Sequence, residues 1–369
     1  MRAPASRPDR QHGLSLVELM VALTVGLLLT LGLFTMISRS SSAFQTQDDF
    51  ARMQDNATAA LRYLGDSIRH AGFYGYARDV NGLDVAVGGI ATVNDCGSGA
   101  SQANPAAANW AIAPWEPLRG FTLTTATVNG VLPCIRSTNF IDGQVLVTRH
   151  GIGLPIPDPN VDGNLSDGLI LQPNYTTTIY VQSDPNTGLV FYGTNFAAHK
   201  GAGVTKTLPT GGDADIFQWQ THVYYLRPCS RPTGTGGLAC QAGDDAGRPI
   251  PTLVRQELVG STMTEVPLVE GIERWNVTYG IDGDQNGVPE RYDPTPGIAN
   301  FVNVVSVRIS ILVRSPNPTT EHDDSGKSYD LNGDGIADFT CTPGSDCGYK
   351  RKVFSQTFQV RNVAQRRQI

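Results

Sequence analysis

The feature that most constrains this chain is the run from Leu14 to Ile37, in which Glu18 is the one ionisable side chain. At about 1.5 Å per helical residue the run is about 36 Å long, enough to cross a hydrocarbon layer of about 30 Å with some tilt. A carboxylate at the centre of such a helix costs roughly 2.5–3.5 kcal/mol on insertion scales. Glu18 sits only one turn in, where it stays near the interface and can meet a positive partner. A secretory signal peptide has a shorter apolar region followed by a small-residue cleavage pattern. Here the small residue, Gly13, precedes the run, and no A-x-A pattern comes after it. A plain signal anchor gives no reason for a Glu at that place.

Residues 1–13 carry Arg2, Arg7 and Arg10 against Asp9, so the positive-inside rule keeps them cytoplasmic and exports the chain beyond Ile37. Pro4 and Pro8 argue against helix there. Beyond the span, Phe50, Met53, Ala57, Leu61, Leu64 and Ile68 recur at spacings of three and four, with Arg52, Asp55, Arg62, Asp66 and Arg69 between them. That pattern predicts one apolar stripe on a helix. No proline interrupts Leu14 to Ala71, so the expectation is a single helix of roughly 55 residues, about 85 Å long, stopped by Gly72. The stripe spans under three clear heptads, which fits packing on a sheet better than a coiled coil. The predicted division is a leader over 1–13, a transmembrane half over 14–37, an amphipathic half over 38–71 and an exported head over 72–369.

A short basic leader ending in Gly, then an apolar residue, three positions and a Glu, resembles the class III signal of type IV pilins and pseudopilins. The resemblance implies that a prepilin peptidase cuts between Gly13 and Leu14 and methylates the new amine of Leu14. Leu14 stands where such proteins most often have Phe. Glu18 becomes the fifth mature residue, and the resemblance implies that it neutralises the amine of a neighbouring subunit. A buried carboxylate in a membrane needs such a cation. Its role is then register in assembly, not catalysis.

The chain has 40 Gly and 23 Pro, many turns and few long helices after residue 71. Gly88–Ala113 is small-residue rich without a period and reads as a surface insertion. Gln144–Arg149, Thr177–Gln182, Gly188–Tyr192 and Phe217–Leu226 read as strands. In the last, Phe217, Trp219, Val223 and Tyr225 alternate with Gln218, Gln220 and His222, the pattern of a half-buried strand. Trp275, Val277, Tyr279 and Ile281 alternate likewise. Phe301–Arg314 puts Val305, Val307, Ile309, Ile311 and Val313 on one face, and Val353–Asn362 closes the chain. The expected fold is α+β and pilin-like: a long N-terminal helix packed on a mostly antiparallel, β-rich head with long loops.

HAGFYG at 70–75, THVYYLRP at 221–228, LVEGIERWNVTYGIDGDQNG at 268–287, VNVVSVRISILVRS at 302–315 and VFSQTFQVRNV at 353–363 occur in that order and resemble the PilW family of minor pilins. Stretches at about 88–140 and 227–250 are not covered and are expected to be surface insertions. The resemblance implies a subunit that helps prime and cap the type IV pilus. Its implied partners are other minor pilins, the major pilin, a PilY-class tip adhesin, the prepilin peptidase and an inner-membrane assembly platform.

Six cysteines, Cys96, Cys134, Cys229, Cys240, Cys341 and Cys347, all lie beyond the span, an even count that in an exported domain favours disulfides. Fifteen pairings are open by arithmetic. Sequence proximity favours Cys229–Cys240 and Cys341–Cys347, which leaves Cys96–Cys134. No C-x-x-C or flanking His supplies four zinc ligands among them.

Two stretches are candidate calcium loops. Asp282, Asp284, Asn286 and Glu290 follow D-x-D-x-N-G-x-x-E, and Asp330, Asn332, Asp334 and Asp338 follow D-x-N-x-D-G-x-x-D. Alternate Asp and Asn on a tight loop supply the oxygens a hard cation needs, and the sixth-position Gly permits the turn. Both resemble the first nine positions of an EF-hand or dockerin loop. The bidentate Glu of the twelfth position is absent, with Asp293 and Cys341 there instead. The same composition also makes good hairpin turns without an ion. A third stretch, Asp158 to Gly163, reads as a turn only, stiffened by Pro159.

Enzyme signatures are missing. Gly326-Lys327-Ser328 ends like a phosphate loop, but the first Gly of that motif falls on Glu321. The six His form no H-E-x-x-H, no G-x-S-x-G elbow is present, and His222 reads as a surface or packing residue. A net charge of −6 and a pI near 5.5 disfavour nucleic acid. The other readings on the same anchor are a minor pseudopilin of a type II secretion system and a pilus-borne adhesin or sugar-binding module. Pseudopilins at the very tip of that secretion system typically lack the Glu kept here.

Overall fold

The computed structural model describes residues 15–78, 83–85, 92–97, 110–209, 211–319, 322–344 and 346–366. Helix α1 is Leu16–His70. It ends where Gly72 takes φ +77°, a left-handed conformation open to a residue without Cβ. The chain divides into two compact units after Arg52. In the first, the apolar side chains of α1 lie exposed, Leu16, Leu28 and Phe34 among them. Among the described helices α1 alone is long and apolar enough to cross a membrane, with a mean hydropathy of 2.3 in its best window.

In the second unit Met53, Ala57, Leu61, Leu64 and Ile68 are buried, with Ala60 and Ala71 beside them. Phe50, expected to open this stripe, belongs to the first unit and is exposed, so the buried face starts at Met53. The stripe packs on a β-rich body. One sheet contains β1 (Leu83–Val85), β2 (Leu118–Leu123), β3 (Gly143–Gly151), β4 (Ile179–Ser183), β5 (Gly188–Tyr192), β6 (Ile216–Arg227), β7 (Thr252–Val259) and β8 (Thr262–Glu270). Its order is β1-β5-β4-β6-β3-β2, and β7 pairs with both β6 and β8. The long β6 meets β4 through its first half and β7 through its second. The second sheet contains β9 (Ile272–Ile281), β10 (Arg291–Asp293) and β11 (Val304–Arg314). A small hairpin of β12 (Ser328–Tyr329) and β13 (Phe339–Thr340) comes next, and β14 (Arg351–Gln359) joins the second sheet beside β11. Only β1 with β5 is parallel among the described strand pairs. The fold is α+β and pilin-like, as the sequence predicts.

Two readings are corrected. Strand β6 is buried on both faces, not half-buried. Tyr224 and Leu226 join the core under α1, while Phe217, Trp219, Val223 and Tyr225 fill a second core on the other side. His222 is therefore buried, which makes it the packing residue of its two readings and not the surface one. The stretch from 110 to 140 is not a surface insertion. Trp110, Ala111, Ile112 and Ala113 are core residues, and β2 pairs with β3. What holds it inside is Arg149, fully buried, which lies 4.3 Å from the Trp110 ring centre and donates to Glu116 O at 2.6 Å and Trp110 O at 3.0 Å. The hairpin β7–β8, turned at Gly260 (φ +61°), is a further element that the pattern of the sequence did not announce.

The seam between the end of α1 and the first sheet is polar. The Ser67 hydroxyl meets Thr148 Oγ1 at 2.6 Å and His222 Nδ1 at 2.9 Å. His222 Nε2–H donates to Gln220 Oε1 at 2.9 Å, which leaves Nδ1 to accept from Ser67. His150 stacks edge-on to His222 at 5.4 Å between ring centres. Burial holds the His150 imidazole down at about 4, and His70 and Arg255 push the same way against a raising bond to the Gly151 carbonyl. Burial, then His150 and Arg255, likewise put His222 well below the ordinary value.

This packing has two measurable outcomes. An ideal Cβ on Gly65 would lie 2.3 Å from Cε1 of Phe358, a buried ring with the Arg69 guanidinium 5.2 Å from its centre. The helical gain of Ala over Gly is about 1 kcal/mol, while overpacking costs about 1–3 kcal/mol, so Gly65→Ala should destabilise the head by about 1 kcal/mol, and by no more than about 2 kcal/mol, in urea unfolding. Unchanged stability would mean that the Phe358 ring turns aside freely. The second outcome concerns acid. Unfolded His150 takes its proton near pH 6.5 and folded His150 only near about 4, so stability is full above that window and falls as pH drops through it. The loss by pH 4 is about 3 kcal/mol from His150, with His222 adding in the same direction. Urea midpoints in metal-free buffer should fall between pH 6.5 and 5, less steeply in His150→Gln, and parallel profiles would refute the assignment.

Candidate functional sites: the start of the helix and the acidic loops

Gly13 and Leu14 lie outside the described residues. At the start of α1, Ser15 and Glu18 form a reciprocal cap. Ser15 N–H donates to Glu18 Oε2 at 2.9 Å, and Glu18 N–H donates to Ser15 Oγ at 3.2 Å. The first helical turn has amide donors with no intrahelical acceptor, and this S-x-x-E box satisfies two donors at the start of α1. Glu18 therefore has a local task in its own chain, beyond the one that its place in the membrane span suggests, and the three-residue spacing signals it. Its carboxylate is turned back toward the start of the helix, onto the Ser15 amide.

The cysteines pair as Cys96–Cys134, Cys229–Cys240 and Cys341–Cys347, and among the described residues none is free. Each ties a loop to the body. Near the first, the Asp95 carboxylate accepts from Trp110 N at 2.8 Å and Ala111 N at 3.1 Å. The loop at 227–250 is rooted inside the head. Buried Arg227 pairs with Glu265 and donates to the carbonyls of Cys229 and Ser230, and Asp245 accepts from Ser230 N and Ile250 N at 2.9 Å each. Beside the third disulfide, Arg351 is held by Glu273 at 2.6 and 3.0 Å, by Asp346 at 3.2 Å and by Asp324 at 3.4 Å.

The two acidic loops differ. In the loop after β9, one carboxylate oxygen each from Asp282, Asp284 and Glu290 lies within 4.8 Å of the others. Asp282 is fully buried and accepts from Gly287 N at 2.9 Å and Asn286 N at 3.1 Å. Glu290 accepts from Gly283 N at 2.7 Å, which holds its carboxyl low, while its hydrogen bond to Asp284 raises that neighbour. Carboxylates held this close without a cation shift one another's affinity for protons. A divalent ion would relieve that crowding of negative oxygens, and carboxylate oxygens are the chemistry calcium prefers. In the loop after β12, Asp330 instead accepts from Gly333 N at 2.6 Å and Gly335 N at 2.8 Å, and Asp338 accepts from Leu331 N at 2.6 Å. Asn332 donates to Asp334 at 2.9 Å. Asp330, Asp334 and Asp338 do not converge as the first set does. Asp158 likewise only caps its own turn, accepting from Asn160, Val161 and Gly163 amides.

A long apolar-to-amphipathic helix opened by a Ser–Glu capping box, with its second half packed on antiparallel sheets, defines a prepilin-type, pilin-like protein. Residues 8–34 match the family model described as the prokaryotic N-terminal methylation motif, and residues 239–362 match that of type IV pilus-assembly protein W, PilW. Together the two matches support a type IV pilin of the PilW family. The second match runs from the Cys229–Cys240 loop through β14 and takes in the whole second sheet. Neither a curated protein nor a solved structure gives a match to the chain.

Proposed function

We propose that the chain is a minor pilin that helps to initiate and cap type IV pilus assembly. Before incorporation it is held in the inner membrane by α1, with its N-terminus cytoplasmic and its head periplasmic, and it then sits at the pilus tip. The observation that carries this is one chain bearing both the methylation motif at 8–34 and the PilW match at 239–362. On this reading residues 1–13 are removed by the prepilin peptidase, 14–37 span the membrane, 38–71 continue the helix and 72–369 form the head. Glu18 keeps its place beside the helix start and neutralises the amine of a neighbouring subunit. The head meets other minor pilins, the major pilin and a PilY-class tip adhesin on an inner-membrane platform. The work done is assembly, not catalysis.

The loop at 282–290 is, on the same proposal, a calcium site held by Asp282, Asp284, Asn286 and Glu290. The loop at 330–338, with Asp330, Asn332, Asp334 and Asp338, is the weaker candidate because its carboxylates do not converge as those of the first loop do.

Mass spectrometry of the mature protein should give a chain that begins at Leu14 with one added methyl. Glu18→Ala should cut pilus number and twitching without lowering the amount of membrane-inserted protein. Retention of the first thirteen residues, or full piliation by the variant, would overturn the assembly role, and a secretion defect with normal twitching would assign the chain to a type II secretion system. Separately, calcium at one hundred times its Kd should stabilise the head by about 2.7 kcal/mol, and Asp284→Ala should reduce the rise in melting temperature. A melting temperature indifferent to chelator removes the calcium site.

A further inference from the structure

The polar seam holds a pair of imidazoles that the assembly role does not use. His150 is 8% exposed, and its Nε2 is buried without a hydrogen-bond partner. Its Nδ1 lies 2.9 Å from Gly151 O. A carbonyl can only accept, so Nδ1 carries the proton and the orphaned Nε2 carries the lone pair. His70, in the last turn of α1, repeats the arrangement. Its Nδ1 lies 2.7 Å from Asp66 O, so a neutral His70 also has its lone pair on Nε2. Both rings are thus fixed in one tautomer by backbone carbonyls, which is the support that metal-binding histidines receive from their outer neighbours. Their ring centres are 5.8 Å apart at an interplanar angle of 39°. Two imidazoles on one tetrahedral ion, with metal–nitrogen bonds of about 2.0–2.1 Å, have ring centres about 5–6 Å apart.

We propose that His70 and His150 form a site for a divalent late-transition ion, zinc by preference, which ties the last turn of α1 to strand β3. Imidazole nitrogen suits zinc, copper and nickel and not calcium, so this site and the acidic loops select different metals. His70 is exposed, which gives the ion an entry path and leaves the remaining positions to water. The groups facing the pair are His222, whose nitrogens are engaged by Ser67 and Gln220, and Arg255, which is ion-paired with Glu257 yet still opposes positive charge at His150. Residues 70 and 150 are eighty positions apart, so no spacing in the sequence could have announced them.

The test is calorimetric titration of the full-length chain in detergent with zinc chloride, in saturating calcium so that the acidic loops are filled. One equivalent should bind per chain and raise the melting temperature, and His70→Ala should weaken binding by roughly tenfold or more and abolish the rise. His70→Gln replaces the alanine variant should that one lose its near-UV circular dichroism. No zinc uptake by the parent chain, or equal uptake by parent and variant, overturns the site.

Discussion

The head depends on one contact, the burial of a narrow helical face by two sheets at once. Met53, Ala57, Ala60, Leu61, Leu64 and Ile68 meet Tyr224 and Leu226 from the first sheet and Val307, Ile309 and Ile311 from the second. Small residues dominate the middle of that face, so the helix backbone can come close to its cover. Gly65 lies so close under Phe358 that a Cβ there would meet the ring. Apolar area removed from water contributes about 25 cal/mol per Å², and a helix of this kind gains nearly all its stability from such packing and little from intrinsic propensity.

Around this contact the structure places charges where a simple oil-drop core would not. Arg149, Arg314 and Arg351 are all largely buried, and each has carbonyls, carboxylates or an aromatic face against its guanidinium, although Arg149 Nε has no hydrogen-bond partner. A buried ion pair adds little net stability compared with apolar packing, but removing one partner is costly because the other is left uncompensated. The arrangement therefore fixes which loop goes where. Glu273 on β9, Asp324, and Asp346 next to Cys347 converge on Arg351 of β14, so the loop closed by Cys341–Cys347 has one place to sit.

Elements with strong periodicity were legible in the sequence. The helix from 16 to 70 carries a three-four spacing and β9 an alternation that survive in the structure, while β3, β5, β6 and β11 were legible as β-branched and aromatic runs although both their faces are largely buried. Hidden elements lacked such a signal. Strand β2 is six residues interrupted by Gly120, and the run before it is short, broken by Pro114 and Pro117 and without a period, so its place is set by Arg149, a partner more than thirty residues later. Strands β7 and β8 carry Arg255, Glu257, Thr264 and Glu265 among their apolar residues, and only the pairing of β7 with β6 reveals which face is inside. The same limit holds for the sites. Ser15 and Glu18 are neighbours in sequence and could have been read as a cap, whereas convergence of Asp282, Asp284 and Glu290, against its absence in the later loop, is a matter of loop conformation. Processing at Gly13 and Leu14 is carried by the motif alone.

The amide of Asn362, just past β14, lies 3.3 Å from the carbonyl oxygens of Arg69, His70 and Ala71, the last carbonyls of the helix end. The two segments are nearly three hundred residues apart, and β14 is also one of the strands that covers the helix. A ribosome must therefore release almost the whole polypeptide before the earliest helix can be sealed. Long-range closure of that kind is slow and leaves apolar surface bare in the meantime. Shortened or stalled products would keep that face open, and chaperones and proteases of the compartment would meet them before any filament could.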